Sequence, residues 1–251
     1  MKIPLKTPQE IEIQKKCGSA LVSVAKRLEP LIVPGVTTLE LDLAAQKYLI
    51  EAGVELSFTR VPGYKYATCI CINEQAVHTE PSAQKIEEGD VVTVDIGAYL
   101  SGFHTDYSNT YYITQNPSPK IEKFLFVGRS TLDAAIAKVQ VGVRLGEVSR
   151  VIYEGITGAG YHVLKSLTGH GVGHELHEEP YVMQYNDKPI QKTPIITPGM
   201  VLAIEVIYSV GTDHIAEEPG QKWSIISADR SLTACFEKTI AITENGVCIL
   251  T

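Results

Sequence analysis

VVTVDIGAYLSGFHTDYSNTYYI, residues 91–113, holds two β-branched and aromatic runs, Val91 to Ala98 and Thr105 to Ile113, joined across Leu100-Ser101-Gly102-Phe103. That composition predicts a β-hairpin. Each arm is interrupted by an aspartate, Asp95 and Asp106. If the chain turns at Ser101-Gly102, Asp95 lies opposite Ser108; if it turns one residue earlier, Asp95 lies opposite Asp106. In both registers the two carboxylates point to the same face, because strand side chains alternate with period two. Like charges brought together in this way destabilise a sheet unless something positive sits between them, and hard divalent cations prefer such oxygens.

The same anomaly recurs along the chain. Glu205 interrupts the apolar strand Val201 to Val210, and Glu237 interrupts Thr233 to Ile242; a further strand is predicted over Thr68 to Ile72. One acid in a strand is ordinarily a solvated edge residue. Four in otherwise apolar runs call for a counter-cation, because unpaired buried charge is prohibitively costly. GHGVGHELHEEP, residues 169–180, offers His170 between two glycines that let an ion approach. Four carboxylates and one imidazole are too acidic for a lone structural zinc. They suit two divalent ions (cobalt, manganese, iron or zinc) sharing carboxylates and able to acidify a water. No HExxH helix is present.

Upstream of the hairpin the period is helical. Thr7-Pro8-Gln9-Glu10 and Thr37 with Glu40 read as capping boxes. The first opens a stripe through Cys17, Ala20, Leu21, Val24, Ala25 and Leu28; the second opens one through Leu41, Ala45, Tyr48 and Leu49 to Gly53. Downstream, Ser118-Pro119 opens a third helix with Ile121, Phe124, Leu125, Leu132, Ala135, Ile136 and Val139 inward, and a fourth spans about Leu145 to Gly160. Setting Gly35 on Gly142 also aligns Val36 with Val143, Glu40 with Glu147, Ala52 with Ala159 and Gly53 with Gly160. The predicted architecture is therefore an α+β domain over residues 1–251, made of two duplicated halves that each join a helix pair to antiparallel strands, with a site at their seam.

Composition narrows the function. Twenty-two basic and 29 acidic residues give a charge of −7, which argues against nucleic acid as a partner. The chain shows no signal-peptide core and no apolar run near the ~18 residues that span a bilayer, so a cytoplasmic protein without a membrane partner is expected. Five cysteines without CxxC pairs read as small core residues.

INEQAVH ending at His78, VDIGAYLSGFHTDYS with Asp95 and Asp106, GHGVGHELHEEP with His170 and His177, PGMVLAIE with Glu205, and DRSLTACFEKTI with Glu237 together resemble the type I methionine aminopeptidases, over about residues 8–251. The resemblance implies the pita-bread fold and a monomeric enzyme that removes the N-terminal methionine from peptides and nascent polypeptides with a water activated by two divalent metal ions. It implies Asp106 and Glu237 as bridging ligands, Asp95 on one metal, and His170 with Glu205 on the other. Glu205 would also shuttle protons, His177 would steady the scissile carbonyl, and His78 would contact the scissile amide or leaving amine. Phe58, Val61, Tyr64, Cys69, His78, His177 and Trp223 would bind substrate. Departures from the family pattern are Thr79 for a usual Gly, Thr105 for Gly, Lys238 for His, Val61 and Leu167 for aromatic residues, and Gln184 for His or Asn, which suggests a reshaped pocket. Same-fold X-Pro peptidases are the rival enzyme reading, but they usually carry an extra N-terminal domain. A non-catalytic binding module is the other rival, and it would not need five ligands.

Overall fold

The computed structural model describes residues 3–251. Both capping boxes form. Thr7 Oγ1 accepts the Glu10 N–H at 3.3 Å and Glu10 accepts the Thr7 N–H at 2.7 Å, opening α1 (Pro8–Leu28). Thr37 and Glu40 do the same for α2 (Thr38–Glu51). There follow β1 (Glu55–Leu56), β2 (Thr68–Ile72), β3 (Gln75–Val77), β4 (Val91–Leu100), β5 (Phe103–Tyr112), α3 (Pro119–Lys138) and α4 (Leu145–Gly158). The chain ends with β6 (His162–Val163), β7 (Thr168–Gly171), β8 (Glu178–Met183), β9 (Val201–Ser209), β10 (Ile215–Glu217), β11 (Ile225–Ser227), β12 (Thr233–Thr243) and β13 (Gly246–Ile249).

Ten strands form one sheet in the order β1-β4-β5-β12-β9-β7-β8, with β2 on β4, β6 on β9 and β13 on β12; β10, β11 and β3 form a second, small sheet. The pairings within both sheets are antiparallel. The helix pairs cover the large sheet half by half. Leu21, Val24 and Leu28 of α1 and Leu49 of α2 pack on Ile96 and Ala98; Phe124, Leu132 and Ile152 of α3 and α4 pack on Ile204, Val206 and Phe236. Neither α3 nor α4 has a side-chain cap at its N-terminus, so this burial rather than capping carries them. Ile121, expected inward, is only partly buried at the margin of its cluster.

The duplication is real in the backbone. α2 and α4 are both 14 residues long. The paired glycines Gly35 and Gly142, and Gly53 and Gly160, all take positive φ. Gly35 N–H donates to Ile86 O at 2.8 Å, and Gly142 N–H to Ile196 O at 2.9 Å. The hairpin turns at Ser101-Gly102, both in the left-handed region, with Leu100 paired to Phe103. Asp95 therefore lies opposite Ser108, and the register that would set it against Asp106 is not adopted.

Candidate metal centre

Two cross-strand rungs at the seam, two residues apart and so on the same face, carry the five ligands. On the first, Asp95 pairs with Ser108, Ser108 with Glu237, and Glu237 with Glu205, across β4, β5, β12 and β9. On the second, two residues along, Asp106 lies opposite Gly97, Thr239 opposite Ala203, and Ala203 opposite His170 of β7. Thr239 Oγ1 joins the two middle strands of this rung, accepting the Asp106 N–H at 2.9 Å and donating to Asp106 O at 2.8 Å. Residues two apart on a strand share a face, so both rungs present their ligands to the same side.

Ligand atoms of Asp106, His170 and Glu237 lie within 4.8 Å of one another, and Glu205 Oε1 is 3.4 Å from His170 Nε2. All four residues are buried. Asp95 Oδ1 and Glu237 Oε1 are buried without any hydrogen-bond partner, and among the described residues no lysine or arginine pairs with the four carboxylates. Burial, reinforced by the charge on Asp106, holds Asp95, Glu205 and Glu237 well above the usual carboxylate range; burial pushes Asp106 up to about 7, opposed by the Tyr107 N–H. The strand His170 enters fixes its ring. Nδ1 lies 2.9 Å from Gly171 O and so carries the proton, which leaves the Nε2 lone pair facing Glu205. Burial lowers its pKa to about 3, keeping it neutral. Orphaned oxygens, crowded acids and a free imidazole nitrogen fit divalent cations and leave the cluster uncompensated without them.

A cavity of about 240 Å³ opens over these rungs, lined by the ligands with Cys71, Leu167, Ile207 and Cys235. A second, of about 100 Å³, shares Asp95, Asp106, His78 and His177 with it and is walled by Phe58, Val61, Tyr64, Cys69, Leu176 and Trp223. All seven expected substrate residues meet there. Leu176 was not anticipated; its only signal in the sequence is its place next to His177. Tyr64 anchors the wall, donating its hydroxyl to Thr68 O at 2.8 Å and meeting the Phe58 and Trp223 rings edge-on. His78 sits at φ 61° at the mouth, and His177, whose ring centroid is 4.3 Å from that of His170, lies in the bend between β7 and β8. Both rings are exposed to the cavity, and desolvation by the protein packed around them lowers their pKa, His78 to about 4.

Three departures resolve differently from a reshaped pocket. Gln184 is fully buried away from the small cavity, donating to Glu205 O at 3.0 Å and accepting the Ile207 N–H at 3.2 Å. Leu167 lines the larger cavity instead of the small one. Lys238 reaches outward to Asp133 at 3.6 Å. The five cysteines are free, four of them buried, as expected. His174 is exposed and takes no part in the cluster.

A buried acid and imidazole cluster beside an apolar pocket fits a metal-dependent hydrolase. The sequence pattern of metallopeptidase family M24 matches residues 12–244, and the chain belongs to that family. Methionine aminopeptidase 1 of Bacillus subtilis strain 168 is 35% identical over 246 residues, 98% of each chain, and the methionine aminopeptidase of Escherichia coli K12 is 33% identical over 253 residues, 100% of this chain and 94% of that one. The crystal structure of methionine aminopeptidase from Thermotoga maritima superposes with a TM-score of 0.94 at 37% identity, covering 100% of this chain and 99% of the other. Within the family the chain therefore falls among the methionine aminopeptidases. The prolidase of Pyrococcus furiosus shares the fold (TM-score 0.75, 24% identity), but this chain covers only 65% of it.

Proposed function

We propose that the chain, acting as one monomeric domain, removes the N-terminal methionine from peptides and nascent polypeptides in the cytoplasm, using two divalent ions from among manganese, iron, cobalt and zinc. Asp106 and Glu237 would lie between the ions, Asp95 would hold one, and His170 with Glu205 the other. When bound, such ions supply Lewis acidity, polarising a carbonyl and lowering the pKa of a water. The chain's own residues do the rest. The small cavity takes the methionine side chain between Tyr64, Trp223, Cys69 and Leu176. His177, exposed to the cavity with its pKa lowered by the surrounding protein, directs a ring N–H at the scissile carbonyl and strengthens that bond as negative charge develops on the oxygen. His78, at the junction of the two cavities, meets the scissile amide. Glu205 takes up the proton lost by the attacking water and passes it to the leaving nitrogen.

One observation supports this reading above the others: Asp95, with an orphaned buried oxygen, lines both a side-chain-sized apolar cavity and the adjoining cavity that holds Glu237, the other acid with an orphaned oxygen. The test is release of methionine from Met-Ala-Ser by metal-depleted protein titrated with each of the four metals, alongside Ala-Pro and metal counting. Methionine release that saturates near two ions per chain is expected. Cleavage of Ala-Pro alone, or no cleavage with any of the metals, refutes the reading.

A further inference from the structure

Thr79, one of the departures from the family pattern, is buried at 4% exposure directly after His78. Its carbonyl accepts the Ile70 N–H at 3.1 Å, and its hydroxyl lies 2.7 Å from Ser224 Oγ, which in turn donates to Glu218 Oε2 at 2.5 Å. The carboxylate fixes the direction of the chain. Glu218 can only accept, so Ser224 spends its proton there and must accept from Thr79, whose own oxygen then accepts the Cys71 thiol at 3.4 Å. Gln75 Nε2 reaches both Glu218 oxygens, at 2.9 and 3.2 Å, while its Oε1 accepts the Ile72 N–H. Glu218 N–H donates to Ser224 O at 3.0 Å, closing the loop that carries Trp223. Beside it Ile225 of β11, directly after that loop, pairs with Val77, the residue before His78, and β11 pairs in turn with β10 before the loop.

We infer that the Thr79–Ser224–Glu218 hydrogen-bond chain is a brace that ties the Trp223 loop to His78, making Thr79 a positioning residue for both sides of the substrate pocket. Two features require such a brace. His78 holds a left-handed backbone, φ 61°, that is strained for a non-glycine residue and persists only where its surroundings hold it. Trp223 buries its indole N–H without a partner, so nothing polar of its own fixes the ring. A glycine at position 79 would supply no hydroxyl and would leave Ser224 and Cys71 one bond short.

The inference rests on the aminopeptidase reading of this pocket, and the parent protein separates the two: a parent that releases no methionine refutes that reading, whereas an active parent puts the brace to the test. Thr79→Val keeps the volume and removes the hydroxyl; Thr79→Ser keeps the hydroxyl. Thr79→Val is expected to lower kcat/KM on Met-Ala-Ser about tenfold, in line with the sensitivity of catalysis to small misplacements, with Thr79→Ser within about twofold of the parent. Trp223 is the chain's sole tryptophan, so acrylamide quenching of its fluorescence in metal-free protein reads the loop directly. Quenching should rise in Thr79→Val and stay at the parent level in Thr79→Ser. Should Thr79→Val fail to fold, Ser224→Ala breaks the same chain from the other side and is read in the same two assays. Parent-like quenching and kcat/KM in the hydroxyl-less variant, or equal losses in Thr79→Ser, overturn the inference.

Discussion

Lys6 and Glu178 form an ion pair in which the side chains are only 3% and 6% exposed, so replacing Lys6 by Met leaves a buried carboxylate without its counter-charge. An exposed pair is worth about 0–1 kcal/mol. Removing one partner of a buried pair costs roughly 3–5 kcal/mol, because the charge left behind is no longer compensated. Solvent screening does not reduce that figure at these exposures. The Lys6 backbone is also fastened, its N–H donating to Gly199 O at 2.7 Å, so the side chain cannot readily swing out to water. For a chain of this size each kcal/mol moves Tm by about 2–4 °C, which puts the expected drop at roughly 6–20 °C. The pair also reaches the active-site bend, since Glu178 accepts the Glu175 N–H at 3.1 Å and Lys6 packs against Gly173, on the segment that carries Leu176 and His177. Urea denaturation of Lys6→Met, Glu178→Gln and the double variant measures the effect. The double variant should recover part of the loss, because no lone charge is left. A loss in Lys6→Met below about 1 kcal/mol would place the pair with exposed ones and refute the reasoning.

Asp106→Asn and Glu237→Gln should each abolish methionine release and cut bound metal below two ions per chain, since a neutral bridge cannot balance two cations; full activity in both would contradict the dinuclear centre. His177→Ala should lower kcat by about 10²–10³ with metal content intact, as expected for loss of one donor to a developing oxyanion; metal loss would reassign it as a ligand. In metal-free protein the raised pKa values of Asp95, Asp106, Glu205 and Glu237 mean that the folded state keeps protons the unfolded chain has released, so these groups make stability fall as pH rises. The depressed histidines His78, His104, His170 and His177 act oppositely, but only below their ordinary value near 6.5. Tm of the EDTA-treated protein should therefore decline between about pH 6.5 and 8.5, and saturating manganese should remove the decline; a flat or rising metal-free profile would exclude the buried-acid account.

The helices and long strands were legible because their signals are local. The Thr7 and Thr37 capping boxes lie within four residues of sequence, and both form as written. β4, β5, β9 and β12 announce themselves by β-branched and apolar runs of nine to eleven residues. β7, β8, β3, β10 and β11 were not foreseen. They run three to six residues, too short to show a period, and some of their pairings join distant parts of the chain, as when His170 pairs with Ala203 and Val77 with Ile225. Gln184 was misassigned to the pocket for the same reason. A buried amide standing in for a neighbouring strand at Glu205 and Ile207 leaves no mark within its own sequence window.

The hairpin register shows why the acids could be read before the sheet was known. Either turn position keeps Asp95 and Asp106 on one face, because parity and not register decides the face. The structure takes the turn that offsets them by two residues, with Ser108 opposite Asp95 and Gly97 opposite Asp106. That offset has a chemical consequence. Direct opposition would concentrate the repulsion of the two carboxylates on one rung and take one of them out of line with its partners on the neighbouring strands. The observed register spreads the acids over two rungs, so that Glu237 and Glu205 fall in line with Asp95, and His170 with Asp106. Moving any one of these ligands by a single residue would turn it to the opposite face of the sheet. A shift by two would keep the face but vacate its rung, and so the site constrains position more tightly than the alternation of the strands requires.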